Sequence, residues 1–121
     1  MSNIGGNISV DFQVKTTKKN SIGAAVEVWD DVYTVIGWLG LQSGDSKYSY
    51  YAKIEESSHV FLCDYHSGIY GLTLPDKDGK IPIVRAVIKG MVYDVLLIDN
   101  PDEMDEQLEI YLRKVGAWDG K

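Results

Sequence analysis

Apolar and polar residues alternate along much of this chain, and almost none of it repeats at helical spacing. Ile8, Val10, Phe12 and Val14 alternate with Ser9, Asp11, Gln13 and Lys15, which predicts a strand with one face in a core and one in water. Residues 16–25 are polar and contain Lys18, Lys19, Asn20, Ser21 and Gly23, so they read as a loop. Val26, Val28 and Trp29 predict a short strand broken at Asp30-Asp31, a pair that reads as a turn. Residues 32–41 are rich in β-branched and aromatic types. Gly37 and Gly40 within them mark a bulge, a bend or a close backbone approach, as in a strand that curves around a barrel.

The alternation dissolves over residues 42–58, a long connection for a compact domain, in which 48–56 can form a short helix. Another strand is expected over 59–65, ended by His66-Ser67-Gly68, and an excursion over 68–80 carries Gly71, Pro75 and Asp78-Gly79. Two apolar runs, 85–88 and 91–98, flank Lys89-Gly90, which supplies the positive φ that a tight hairpin requires. Asp99-Asn100-Pro101-Asp102 stops the second run, because proline cannot donate to a strand ladder. Leu108, Ile110 and Leu112 then alternate with Glu109, Tyr111 and Arg113 in a half-buried strand that continues to Val115, with 116–121 as a frayed tail. These elements describe one domain, residues 1–121, of all-β class. They predict a small antiparallel barrel or sandwich of about six or seven strands with one long inter-strand loop.

Composition agrees with a chain that folds on its own core. A length of 121 residues with 45% hydrophobic and 25% charged residues is globular in balance. The apolar runs fall far short of the ~20 residues of a membrane helix, and the start at Met1 has neither the basic nor the apolar part of a signal peptide. Folding in the cytoplasm of the producing cell, with no membrane partner, is therefore expected. A net charge of −6 argues against tight sequence-independent binding to DNA, which is driven by Lys and Arg displacing counterions.

Candidate chemistry is sparse. Cys63 is the single cysteine, so an internal disulfide is excluded, and its place in a strand makes it a small buried apolar residue rather than a reactive thiol. Cys63 and His66 have the spacing of half a zinc site, with His59 four residues before the cysteine. On an extended strand His59, Cys63 and Tyr65 share one face and Asp64 and His66 the other, so they do not converge on a metal. The acids Asp99, Asp102, Glu103, Asp105, Glu106 and Glu109 lack the pattern of a calcium loop and read as a solvated turn. No phosphate-binding glycine loop or metalloprotease helix motif occurs, so no catalytic residue, cofactor or metal is assigned and no enzyme is expected. The best candidate for interaction is Lys47, Tyr48, Tyr50, Tyr51 and Lys53. Tyrosines beside lysines stack on single-stranded bases in oligonucleotide-binding barrels, and equally anchor protein contacts or fold back on their own barrel.

In order and spacing, these pieces resemble the head-to-tail joining family of long-tailed bacteriophages, the head-closure or stopper proteins of the virion neck. The resemblance runs through I-S-V-D-F-Q-V, E-V-W-D-D-V-Y-T-V-I-G-W-L-G-L-Q-S-G, S-S-H-V-F-L-C-D-Y-H-S-G-I, K-G-M-V-Y-D-V-L-L-I-D-N-P-D and L-E-I-Y-L-R-K-V. Trp29 stands where the family has a tryptophan before its second long strand, Ser58-His59 where a Ser/Thr-His pair opens the middle strand, and Val92-Tyr93-Asp94-Val95 after the hairpin glycine. The segment 69–81 departs from the pattern by its length. The resemblance implies a homo-oligomeric ring, twelvefold by family pattern, below the portal and its adaptor protein. In that ring the loop 43–58 projects into the channel, retains packaged double-stranded DNA without sequence-specific binding, and the ring offers a docking surface to the tail terminator protein. It implies a place in the virion neck, assembled in the bacterial cytoplasm. A small oligonucleotide-binding barrel, or a tail terminator ring of the same virion, is the alternative.

Overall fold

A computed structural model describes residues 5–41, 58–72, 74–118 and 120. Among the described residues six strands make up the fold: β1 (Ile8–Lys19), β2 (Ala25–Leu41), β3 (His59–Asp64), β4 (Val84–Ile88), β5 (Met91–Asp99) and β6 (Gln107–Ala117). A short helix, α1 (Ser67–Gly71), follows β3, and a 3-10 turn, Pro101–Glu103, precedes β6. All strand pairs are antiparallel, and the strands close in a ring in the order β1-β2-β3-β6-β5-β4. The all-β barrel expected from the alternation is the fold observed.

Period-two burial places Val10 and Phe12 of β1, Phe61 and Cys63 of β3, Ala86 and Ile88 of β4, and Leu108, Ile110 and Leu112 of β6 in one core. Three register shifts coil the wall: Val32 is the additional residue on β2 opposite Phe12 and Gln13, Leu96 on β5, and Val115 on β6. Extra residues of this kind increase local twist and help a sheet of only six strands to close. At Gly37 a side chain would fall on the Leu62 carbonyl and the Phe61 ring, so the close approach expected there is real. Gly40 meets nothing comparable.

Several expectations are corrected. Residues 16–19 are not loop but the second half of β1, paired from Thr16↔Val28 to Lys19↔Ala25, and the turn is confined to the few residues around Ser21. Asp30 and Asp31 do not break β2. Their carboxylates accept hydrogen bonds from β1 instead: Asp30 from Thr16 Oγ1 at 2.8 Å and Lys18 Nζ at 3.1 Å, and Asp31 from Gln13 Nε2 at 2.7 Å. Cross-strand pairing thus satisfies the acids that a local turn would otherwise have used. Gly116 and Ala117, read as tail, belong to β6, and Trp118 N donates to Gly90 O at 2.8 Å. The excursion 68–80 contains α1, which sequence periodicity could not announce because five residues contribute a single buried side chain, Ile69. The Lys89-Gly90 hairpin forms as expected, with φ of 48° and 75° and Ile88 paired to Met91.

Candidate interaction surface

The strands give the barrel two different ends. One, the rim, gathers the start of β1, the end of β2, the start of β3 and the hairpin between β4 and β5. The other, the base, gathers the β1–β2 hairpin, α1, the start of β4 and the acidic turn between β5 and β6.

At the rim, β2 ends at Leu41, which pairs with His59 at the start of β3. The start of β3 is clamped. Ser58 N donates to Leu112 O at 2.8 Å, Lys114 N donates to Ser58 Oγ at 2.9 Å, and Ser58 Oγ lies 2.8 Å from His59 Nδ1. The His59 ring meets Tyr93 edge-on at 5.1 Å, and burial, with the Lys114 charge second, holds its pKa below the ordinary histidine value. Lys47, Tyr48, Tyr50, Tyr51 and Lys53, the residues singled out from the sequence, lie outside the described residues, as does the helix expected over 48–56.

At the base, Trp29 explains its place in the pattern: the Arg85 guanidinium stacks over its ring at 4.2 Å and Lys15 Nζ lies 5.9 Å from the same centroid. Arg85 Nε also donates to the buried Gln13 Oε1 at 2.7 Å, so Trp29, Arg85 and Gln13 lock the root of the β1–β2 hairpin to β4. His66 is a cap, not a ligand: its Nδ1 accepts from Ile69 N at 3.2 Å at the start of α1, and its ring stands edge-on to Tyr33. Cys63 is 1% exposed and its thiol is pushed up to about 11 by burial and by Asp64, which suits the apolar role. The acids of the β5–β6 turn are exposed around a buried Asn100, whose side chain donates to Asp105 Oδ1 at 2.7 Å and accepts from Asp105 N at 3.2 Å. No cluster of metal-ligating groups occurs among the described residues.

Among the described residues, apolar side chains gather on the outside in more than one place. Ile36 and Trp38 project from β2, and the registers Trp38↔Leu62, Val60↔Tyr111 and Tyr111↔Leu97 continue this stripe across the outer wall. A cleft of about 410 Å³ opens at the base between the segment leading into β4 and the second half of β5, walled by Leu72, Ile81, Pro82, Val95, Leu97 and Ile98. Sequence reading missed the cleft, although Pro82, which lacks a donor, is the signal for it.

The model of the family described as "Phage head completion protein" matches residues 2–115. The solution structure of protein SF1141 from Shigella flexneri 2a is similar in fold, with a TM-score of 0.63, 18% identity, and coverage of 94% of this chain and 96% of that one. No curated protein matches the chain.

Proposed function

Since the chain belongs to the phage head completion protein family, we propose that it is a ring-forming subunit of the virion neck that closes the DNA channel after packaging and receives the tail. The family match over residues 2–115 carries this reading, and it establishes a structural role at the phage head as its coarser part. The finer part is supported by the architecture. The outer stripe at Ile36 and Trp38 suits permanent contact with neighbouring proteins. The segment 43–58, anchored at Leu41 and Ser58 on the rim, is the channel element, with Lys47, Tyr48, Tyr50, Tyr51 and Lys53 as its working residues. The adaptor below the portal and the tail terminator are its partners on either side. Retention is steric, since a subunit of net charge −6 has little adhesion to DNA.

Removing the gene from its phage tests this. Heads are expected to fill, then to lose DNA and remain tailless, with both defects restored by the chain supplied in trans. Infectious tailed particles formed without the chain would overturn the proposal.

A further inference from the structure

β4 is five residues long, whereas its neighbours β1 and β5 have 12 and nine. Its last pairs at the base are Val14↔Val84 with β1 and Arg85↔Asp94 with β5. Below them Lys15 N still donates to Ile83 O at 3.0 Å, so the segment leading into β4 follows β1 and leaves β5. This divergence opens the apolar cleft. It also leaves two strand edges without a strand partner among the described residues: β5 from Val95 to Asp99, inside the cleft, and β1 from Thr16 to Lys19, in the β1–β2 arm. Four residue pairs carry that arm roughly 13 Å past the barrel wall. At its tip Ile22 is 84% exposed, an apolar side chain left largely in solvent.

Unpaired edges are templates for strand addition, and an apolar pocket beside one selects the side chain that enters. We propose that the β1–β2 arm of one subunit docks into the β4–β5 cleft of a second copy, Ile22 entering the cleft and the β1 edge pairing with the β5 edge. Charge supports a second copy as the occupant. Lys18 is paired with Asp30 of its own strand pair, but the arm also carries Lys19 next to its tip, and the cleft lies beside the exposed acidic turn of Asp99, Asp102 and Glu103. Because arm and cleft are different surfaces of one chain, the contact is head-to-tail: each docked subunit still presents a free arm or a free cleft, and the series ends only when it closes in a ring. The inference rests on the ring reading of the previous subsection and supplies the contact that builds it.

Two variants in a Cys63→Ala background, Ile22→Cys and Ile81→Cys, test the contact by mixing. Mild oxidation is applied to the concentrated full-length chains and to particles assembled with both. A mixed disulfide dimer, one chain of each variant, is expected in either sample, and the double variant should give a ladder of covalent oligomers. Lys19→Glu should lower the yield roughly two- to fivefold and Glu103→Lys should restore it. Monomers with both thiols free in both samples, or symmetric adducts alone, would overturn the inference. Particles that contain the chain but give no mixed adduct leave the neck assignment standing, and adducts from a chain that particles exclude leave the contact standing without it.

Discussion

The rim and the base of this barrel share a core but are built on opposite principles. At the rim, backbone donors and a serine hydroxyl tie β3 to β6, so that Ser58, His59, Leu112 and Lys114 form one clamp where the chain re-enters the wall. At the base, strands end at unequal lengths, an arm stands clear of the wall and a cleft stays open. A clamp hands a rigid footing to whatever segment it anchors, whereas unequal strand ends leave pairing capacity unspent. On the proposed reading, the rim serves the channel and the base serves assembly.

Both ends depend on the core between them, and the largest effect is expected there. Ile110 is fully buried, so Ile110→Asp places an unpaired charge among Phe61, Ile98 and Leu108 and costs several kcal/mol, on the order of the whole stability of a small domain. Loss of the cooperative thermal transition is the expected result. A soluble variant with unchanged melting would refute the register of β6.

Next come the two end-specific supports. Asn100→Ala removes both side-chain bonds that frame the acidic turn and should cost about 1–3 kcal/mol, read by denaturant unfolding. Ser58→Ala removes the acceptor for Lys114 N and the partner of His59, at about 1–2 kcal/mol. If the ends are mechanically separate, the double variant adds the two costs to within about 0.5 kcal/mol. A larger coupling would break the comparison.

A smaller effect is pH dependence at the rim. Because the folded pKa of His59 lies below its unfolded value, the unfolded state takes up a proton first as pH falls through about 6.5. Stability is therefore full above that pH and declines on acidification until the folded state is protonated as well. His59→Gln should flatten this part of a stability profile measured between pH 8 and 5. Smallest of all, Ile22→Ser should leave melting within about 0.5 kcal/mol of the parent, since the side chain at the tip is largely exposed.

The sequence made the wall legible where one face is dry. Phe61 and Cys63 of β3, the Lys89-Gly90 hairpin and Leu108, Ile110 and Leu112 of β6 follow directly from alternation and turn chemistry. It concealed the β1 half of the arm, because Thr16–Lys19 is polar throughout and has no apolar period to read. The bulge at Val32 shifted the alternation of β2, which made Asp30-Asp31 resemble a break. The cleft was hidden for another reason: it arises from where β4 stops relative to its neighbours, a tertiary fact that Pro82 alone only hints at. The capping role of His66 was not legible, because its partner Ile69 N belongs to a helix too short to announce itself.

The central proposal is that the segment anchored on the rim retains DNA while the barrel below it positions that segment and builds the ring. Deleting residues 47–53 in the phage and measuring nuclease-protected DNA per filled head tests this directly. The account predicts a folded chain, incorporated into particles at parental amounts, and heads that have lost most of their protected DNA. Parental levels of protected DNA in particles carrying the deleted chain would contradict it.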